Sequence, residues 1–255
     1  MKHFRIYIAV ITLIFSSCSK SDYLDVDGTA RPPLYAYISF ANARVTATPV
    51  NFWTFTQQVT TAAVPVNQAS PYLPATYGNV QINVTESGGT SYKVSRQFGN
   101  SAAYTENGGP NGPIAGFYHT VFAAPRRNDN TKDTLILFYD DLSAPASGKA
   151  KLRFVNLAPG AGNVQLQWER NGVTTPLFNA APYGSAGSGN LAGSAYELGP
   201  FINVDAGVTS FSITAGNTKY PLTDITLQAG KIYTLFAHGA GDQKGIVTAS
   251  VITHQ

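Results

Sequence analysis

The sequence contains a single cysteine, Cys18, and only four histidines in 255 residues. It has no HExxH, no CxxC and no Cys/His cluster, which disfavours a zinc site. No serine lies in a GxSxG elbow, and the adjacent acids Asp140 and Asp141 would point to opposite faces of a strand. "GSGNLA" at Gly187 to Ala192 has the letters of a dinucleotide fingerprint but lies in Gly/Ser-rich sequence, without the flanking strand and helix. We therefore predict no catalytic residue, no metal and no cofactor, with an unrecognised hydrolase as one alternative.

Charged residues are also scarce, at 12% of the chain. Residues 1–17 hold two basic residues and no acid, so their removal leaves 15 basic against 14 acidic residues, a net charge of +1. Adjacent arginines occur only in "PRRN" at Pro125 to Asn128, and no basic stripe alternates with aromatics. A nucleic-acid groove needs such a stripe, so we predict no nucleic-acid partner.

No hydrophobic run is long enough to cross a membrane as a helix, which takes about 20 apolar residues. The run from Ile6 to Phe15 has instead the length and basic flank of a secretory signal. Two serines lead from it into Cys18, and this resembles a bacterial lipobox, in which the chain is cut before an acylated cysteine. We predict a lipoprotein signal peptide over 1–17, lipidation of Cys18 and a polar tether over 18–33. An ordinary signal peptide is the alternative.

Acylation of Cys18 would place the protein in the cell envelope. We expect an outer-membrane lipoprotein, on either the periplasmic or the surface-exposed face, attached to the membrane through its N-terminal acyl chains. Charge contributes little to this attachment, because the mature chain is nearly neutral.

Strong helix formers are sparse beyond the tether, and no window shows a sustained 3.6-residue apolar period. Short stretches alternate instead, such as "VQINVT" from Val80 and "TSFSIT" from Thr209. Alternation between Gly-, Pro- and Asn-rich turns is typical of antiparallel strands with one buried face. The chain is therefore predicted to be all-β.

An internal repeat divides the chain into two similar units. "AYISFANA" from Ala36 matches "AKLRFVNLA" from Ala150, with Phe40 aligned to Phe154 at an offset of 114 residues (154 − 40). "GFYHTVFAA" from Gly116 matches "GKIYTLFAH" at the same offset (230 − 116 = 114). A third block, "YGNVQINVTESGG", matches "AGVTSFSITAGN" at an offset of 129. Three blocks in the same order predict a tandem duplication.

We predict two tandem Ig-like or transthyretin-like antiparallel β-sandwich domains, over 34–145 and 150–255, each with about seven strands. The alternation assigns eleven residues to the two sandwich cores: Phe40, Val80, Ile82, Val84, Val121 and Phe122 in the first, and Phe154, Phe211, Ile213, Leu235 and Phe236 in the second. The irregular segments "NQASPYLPATYG" and "NAAPYGSAGSGNLAGSAYELGP" are predicted to be surface loops.

Three stretches of the second unit, "AKLRFVNLAPGAGNVQLQW", "VDAGVTSFSITAG" and "ITLQAGKIYTLFAHG", resemble the DUF4397 family of exported bacterial β-domains. The resemblance is clear over 150–255 and looser over 34–142, where "ANARVTATP" lacks the early proline. It implies a β fold and an exported location. The family's function is uncharacterised, so no catalytic residue is carried over.

Aromatic residues in the long loops are the best candidates for ligand contact, because flat rings stack on sugars. They are Tyr72, Tyr77, Tyr183 and Tyr196. Trp53 and Trp168 have a second interpretation as half-buried sandwich residues, and the tyrosines as rigidifying loop residues. His119 is expected to pack within a strand, and His238 to cap a strand end, with pairing to Asp242 as the alternative.

The leading functional prediction is a non-catalytic binding or scaffolding module, for a glycan or for another envelope protein. A structural or adhesive spacer without a small ligand is the alternative.

Overall fold

A computed structural model of the protein describes residues 33–99, 112–170, 172–187, 200–239 and 247–254. The chain divides into two units, Met1–Pro33 and Leu34–Gln255, and the description below concerns the second. The predicted signal peptide, Cys18 and all of the tether but Pro33 lie outside the described residues. Within the described ranges, no helix is long and apolar enough to cross a membrane.

The described residues of the first repeat form eight strands. They are β1 (Ala36–Asn42), β2 (Val50–Thr54), β3 (Gln57–Gln58), β4 (Leu73–Ala75), β5 (Val80–Glu86), β6 (Tyr92–Phe98), β7 (Tyr118–Pro125) and β8 (Asp133–Asp140). They form two four-stranded sheets, in the orders β4-β1-β7-β8 and β3-β2-β5-β6. We call these the inner and the outer sheet of the repeat.

The second repeat has the same plan. Its strands are β9 (Lys149–Leu157), β10 (Val164–Arg170), β11 (Val173–Pro176), β12 (Ile202–Asp205), β13 (Gly207–Ala215), β14 (Thr218–Leu227), β15 (Ile232–Gly239) and β16 (Val247–Thr253). The inner sheet has the order β12-β9-β15-β16 and the outer sheet the order β11-β10-β13-β14. The predicted duplication into two all-β sandwiches is thus confirmed.

Each sandwich is held by alternate side chains from its two sheets. Phe40 and Val121 on the inner sheet pack with Phe52 and Ile82 on the outer sheet of the first repeat, and all four are fully buried. Phe154 and Leu235 meet Leu166 and Ile213 in the equivalent core of the second repeat. The alternation read from the sequence therefore marks the core face of the strands.

One pair of strands in each inner sheet is parallel, although the sequence predicted antiparallel strands. β1 pairs with β7 and β9 pairs with β15 in parallel register, while the other pairs are antiparallel. After β1 the chain forms β2 and β3 in the outer sheet, β4 on one side of β1, and β5 and β6 in the outer sheet. It then returns as β7 on the other side of β1 and runs in the same direction as β1. Such a crossover is what a parallel pair requires.

Two other expectations need correction. The segment 67–78, predicted to be a loop, contains strand β4, and its Ala75 is buried beside β1. Phe122 and Phe236 are buried as predicted, but on the opposite face of their strands, outside the two sandwich cores. Since Val121 and Leu235 fill the cores, the next residue in each strand must point the other way.

The face that carries Phe122 and Phe236 packs one repeat against the other. A third hydrophobic cluster contains side chains from both repeats, among them Ala41, Phe138, Val155 and Ile252. The rings of Phe122 and Phe236, which occupy equivalent positions, lie 5.4 Å apart. Contact between equivalent residues is the pattern of an isologous interface, here formed within one chain. β7 and β15 are therefore buried on both faces, which explains their nearly continuous apolar sequence.

The repeated Phe-x-Asn motif has a structural role in both repeats. The Nδ2 group of Asn42 donates to the carbonyls of Thr48 and Val64, at 3.2 and 3.1 Å, and its Oδ1 accepts from the backbone of Arg44. Asn156 makes the same three bonds, to Gly162, Ala181 and Ala158. Both side chains are fully buried, so these bonds satisfy the amide groups of the two asparagines, which water cannot reach.

Candidate functional site

A buried polar cluster joins the two inner sheets beside the phenylalanine contact. The guanidinium of Arg153 lies 2.7 Å from the carboxylate of Asp140, and neither side chain is exposed. Arg153 also lies over the rings of Phe138 and Phe201, with its Cζ 5.3 and 4.5 Å from their centroids. Asp140 belongs to the first repeat and Arg153 to the second, so the pair crosses the interface.

This ion pair closes a ring of five side chains that are otherwise joined by hydrogen bonds. We call the ring the seam: Arg153, Thr234, His254, Tyr72 and Asp140. Arg153 Nε donates to Thr234 Oγ1 at 3.0 Å, and Thr234 lies 2.7 Å from His254 Nε2. His254 Nδ1 lies 2.7 Å from the Tyr72 hydroxyl, which donates to Asp140 at 2.7 Å. Thr120, equivalent to Thr234, adds a donor to the same carboxylate at 2.6 Å.

The Tyr72 hydroxyl determines where the protons of the seam lie. Its only proton goes to Asp140, so His254 Nδ1 must carry a proton and donate it to the Tyr72 oxygen. In the neutral imidazole, Nε2 then accepts from the Thr234 hydroxyl, whose oxygen also accepts from Arg153 Nε. This tautomer is assigned from the network.

The pKa values agree with this arrangement. Burial lowers the pKa of His254 to about 4, against a raising effect of Asp140. Burial works against ionisation of Asp140, but Arg153, His254 and the bonds from Thr120 and Tyr72 outweigh it and hold its pKa below the ordinary value. Burial and the neighbouring Asp140 raise the pKa of Tyr72. At neutral pH the seam therefore holds one ion pair and a neutral histidine.

The seam contains residue types that are common in catalytic sites, but its geometry is that of a structural contact between the two repeats. His254 and Asp140 are buried, and their donors and acceptors are directed at each other. Tyr72, predicted to contact a ligand, uses its hydroxyl within the seam and places its ring edge-on to Tyr118 at 5.1 Å. Sequence reasoning missed Arg153, Thr234 and His254, because they meet Asp140 only once the two repeats are packed together.

Of the three other loop tyrosines predicted to contact a ligand, the structure describes two. Tyr183 is partly buried and donates from its hydroxyl to the carbonyl of Pro125, across the interface between the repeats. Tyr77 is exposed, and Tyr196 lies outside the described residues. Tyr72 and Tyr183 thus use their hydroxyls in contacts between the repeats, and the role of the four tyrosines in ligand contact stays a prediction.

The two other described histidines, His119 and His238, lie in strands β7 and β15. His119 is fully buried, and burial lowers its pKa to about 4. His238 contacts the Ser250 hydroxyl at 2.9 Å, while Asp242 and all of "GSGNLA" but Gly187 lie outside the described residues. Among the residues that the structure covers, no three His, Cys, Asp or Glu side chains are grouped to hold a metal ion.

An exposed aromatic face lies on the outer sheet of the first repeat, formed by Trp53, Phe55 and Tyr92. Trp53 points away from the core because Val50 and Phe52 of the same strand fill it. Its indole donates to Thr85 Oγ1 at 3.1 Å, and its ring meets Tyr92 edge-on at 6.3 Å. Phe55 and Tyr92 are 45% and 43% exposed.

Phe55 is held in a backbone conformation that phenylalanine rarely adopts. It is the first residue of the two-residue turn between β2 and β3, with φ at 52°. This conformation favours glycine, and a bulky residue there costs on the order of 1 kcal/mol or more. The Asn83 side chain and the Tyr92 hydroxyl both donate to the Phe55 carbonyl, at 2.5 and 3.3 Å. The turn thus fixes a partly exposed phenyl ring at a cost in stability.

The equivalent face of the second repeat is polar and internally bonded. Gln167 Oε1 accepts from Thr214 Oγ1 at 2.9 Å, and its amide donates to Gln165. Glu169 accepts from Ser212 at 2.5 Å and pairs with a lysine at 2.7 Å. Bonds to Lys219, Ser212 and Thr174 lower the pKa of Glu169 to about 2. These side chains form a polar ladder across the outer sheet.

Trp168 does not mirror Trp53. It packs on the core side of β10, where its ring lies 6.3 Å from Phe211. Its indole donates to Thr209 Oγ1 at 2.5 Å, and the Arg170 guanidinium covers the ring at 5.5 Å. A groove of about 340 Å³ borders it, lined by Trp168, Glu169, Arg170, Asp205, Ala206, Val208, Thr209 and Ser210. Asp205 is paired with Arg170 at 2.7 Å, so charge within this groove is neutralised locally.

These observations define a protein of two β-sandwiches fused through equivalent faces, with an aromatic face on one of them. The chain belongs to the DUF4397 family, described as a domain of unknown function, which matches residues 36–167. The match thus starts at β1 and ends in β10, whereas the sequence resemblance was clearest over 150–255. No curated protein matches the sequence.

Two solved structures illustrate the range of similar folds. The C-terminal domain of AlgF from P. aeruginosa is 17% identical, and the match covers 42% of this chain and 98% of that domain, with a TM-score of 0.29. A streptococcal virulence factor described as binding alpha-glucan is 9% identical, with 84% and 97% coverage and a TM-score of 0.23. At such low TM-scores neither likeness carries an argument about this chain.

Proposed function

We propose that the protein is a lipid-anchored, non-catalytic binding module of the outer membrane. Its acylated Cys18 and the tether over 18–33 hold two sandwich domains, 34–145 and 150–255, at the membrane. The lipobox-like sequence before Cys18 supports the anchor. The sealed seam supports a binding role, because the acid–base groups that meet in the fold are used to join the repeats.

The aromatic face of the first repeat is the ligand platform in this proposal. The single observation that carries it is the exposed ring of Phe55, kept at a positive φ that a glycine would adopt without strain. Strain of this kind persists where the surrounding structure enforces it and is often found at binding sites. Here Asn83 and Tyr92 enforce it by bonding to the Phe55 carbonyl.

A glycan is the ligand that suits this face. Trp53 and Tyr92 offer partly exposed rings on one side of a sheet, and Phe55 offers a third in the adjoining turn. The faces of sugar rings carry C–H groups that pack on aromatic surfaces. Gln81 and Ser95 lie on the neighbouring strands of the same face and supply donors and acceptors for hydroxyl groups. None of the three rings carries a charge, so a neutral sugar fits better than an anion.

Glycan-array binding by the full chain tests the platform. We expect bound glycans to be lost on Phe55→Gly, with at least about tenfold weaker affinity for one lost ring contact. Val173→Gly is the matched control, because it removes an exposed apolar side chain from a strand of the second repeat. Tyr72→Phe and Tyr183→Phe test the loop tyrosines and should leave binding intact.

A different array result would redirect the proposal. Loss of binding on Tyr77→Ser but not on Phe55→Gly would move the platform to the predicted loop tyrosines. An array on which neither the wild type nor any variant binds would favour the structural spacer over the binding module.

A further inference from the structure

A second exposed apolar surface lies at the end of the first repeat where the described chain begins. It consists of Leu34, Tyr35, Tyr37 and Phe117, and we call it the collar. Leu34 is 64% exposed and Phe117 45%, and the two tyrosines are also exposed. Four of the nine large apolar side chains exposed among the described residues are therefore gathered at this end.

Backbone and ring contacts hold the collar together. The amide of Tyr37 donates to the carbonyl of Phe117 at 2.9 Å, and the amide of Gly116 donates to Tyr35 at 2.8 Å. The ring of Tyr37 stacks on Tyr118 at 5.2 Å. The ring of Phe117 lies 5.7 Å from that of Tyr139. Tyr37 lies in β1, and the other three collar residues directly precede β1 or β7, so the collar forms the end of this pair of strands in the inner sheet.

The collar lies close along the chain to Cys18, the predicted site of lipid attachment. Leu34 follows Cys18 by 16 residues (34 − 18), which span at most about 58 Å when fully extended. A lipid-attached Cys18 would therefore keep this end of the protein within reach of the bilayer. Tyrosine, with its apolar ring and polar hydroxyl, is enriched at the membrane–water interface.

We propose that the collar is a membrane-docking surface that inserts into the lipid headgroup region and orients the anchored protein. The inference rests on the proposed acylation of Cys18. A lipid surface is favoured over a protein partner because the collar adjoins the residue where the tether enters. The collar contains no charged side chain, so its docking is driven by apolar burial and is insensitive to salt.

Depth-dependent quenching on vesicles tests the collar. The full acylated chain is reconstituted into phosphatidylethanolamine–phosphatidylglycerol vesicles that contain brominated lipid. A bimane fluorophore is attached through Tyr35→Cys, or through Val173→Cys as the control on an exposed edge strand of the second repeat. Since the acylated Cys18 thiol is blocked, only the introduced cysteine reacts.

We expect strong quenching at position 35, little at position 173, and the same values in 1 M NaCl. Tyr37→Ser with Phe117→Ser should reduce quenching at position 35 to the control level, and a thermal melt checks that this variant stays folded. If the double variant unfolds, Phe117→Ser alone should lower the quenching partly.

Mass spectrometry of the N-terminal peptide separates the two proposals. An acylated Cys18 with equal quenching at both positions, or with quenching unchanged by the serine substitutions, would overturn the collar and leave the anchor intact. An unmodified Cys18 would overturn the anchor and the collar together.

Discussion

Gln167 of the second repeat occupies the position that Trp53 occupies in the first, and Glu169 stands where Phe55 does, each at the offset of 114 residues. The strands beneath them are equivalent, since Val50 and Val164 form the same bridge to a following loop. One outer sheet nevertheless presents rings, and the other a polar ladder that satisfies its own donors and acceptors.

This comparison shows which parts of the duplicated fold are fixed by stability and which are free to diverge. Asn42 and Asn156 keep identical bonds because both close a buried loop. The outer faces differ because nothing in the sandwich requires a particular outward side chain. The seam is partly conserved between the repeats and partly divergent. Thr120 and Thr234 occupy equivalent positions and are the same residue, whereas Arg153 occupies the position of Ser39.

The largest expected difference in stability is between substitutions of Arg153 and of its equivalent, Ser39. Arg153→Met leaves the buried carboxylate of Asp140 without its cation and should lower the free energy of unfolding by about 3–5 kcal/mol. Ser39→Ala removes one hydrogen bond, to Ser70, and should cost about 1 kcal/mol. Urea unfolding measures both.

The double substitution Arg153→Met with Asp140→Leu is the control for the ion pair. Because it removes both charges, it should recover a large part of the lost stability. Equal losses of unfolding free energy for Arg153→Met and Ser39→Ala would show that the seam does not stabilise the contact between the repeats.

Acid should weaken the contact between the repeats through His254, whose equivalent in the first repeat is Asp140. The pKa of His254 falls from 6.5 to about 4 on folding, so the unfolded chain binds the extra proton first. This contribution to stability is present above pH 6.5, is lost as the pH falls towards 4, and amounts to up to about 3 kcal/mol.

Urea unfolding between pH 7 and pH 4.5 measures this loss. His119, with a pKa of about 4, should contribute a similar loss over the same range, and burial also lowers the pKa of His238. His254→Asn should therefore remove part of the pH dependence, while His119 and His238 retain the rest. An unchanged pH profile in His254→Asn would contradict the assignment of a neutral His254 in the seam.

The two motif asparagines should behave alike. Asn42→Ala and Asn156→Ala each leave three buried backbone groups without their side-chain partner and should each cost about 2 kcal/mol. Thermal unfolding of the two variants checks the equality. A loss confined to one repeat would mean that the motif closes the loop in only one of them.

The smallest expected effect has the opposite sign. Phe55→Gly relieves the positive φ and should leave stability unchanged or raise it by up to about 1 kcal/mol, although it removes a ring from the platform. The matched variant Glu169→Gly lies in the polar ladder, loses bonds to Ser212 and Lys219, and should be less stable than the wild type. If Glu169→Gly instead stabilised the protein, the two outer faces would not differ in how their side chains affect stability.

Much of the fold could be predicted from the sequence, because local alternation reports the core face directly. The placement of Phe122 and Phe236 could not, since adjacent apolar residues in "VF" and "LF" do not show which of the two turns towards the partner repeat. The seam was also hidden. Asp140 and Arg153 lie in different repeats, and only the packing of the inner sheets brings them together.

The aromatic face left a signal that the alternation could have exposed. In "VNFWT" Trp53 is out of phase with the core residues Val50 and Phe52, whereas in "VQLQW" Trp168 is in phase with Val164 and Leu166. A tryptophan out of phase must lie on the outer face. The positive φ of Phe55 had no comparable sequence signal, because nothing in "TFTQ" marks a tight turn.

The two tryptophans provide the most direct test of the central claim, that the outer sheet of the first repeat is the ligand face. Their indole N–H groups give two separate signals in a proton–nitrogen correlation spectrum, one from each repeat. On titration with neutral hexose oligosaccharides, the Trp53 signal should shift and the Trp168 signal should stay in place. A shift of Trp168 alone, or of neither signal with any oligosaccharide, would contradict the claim.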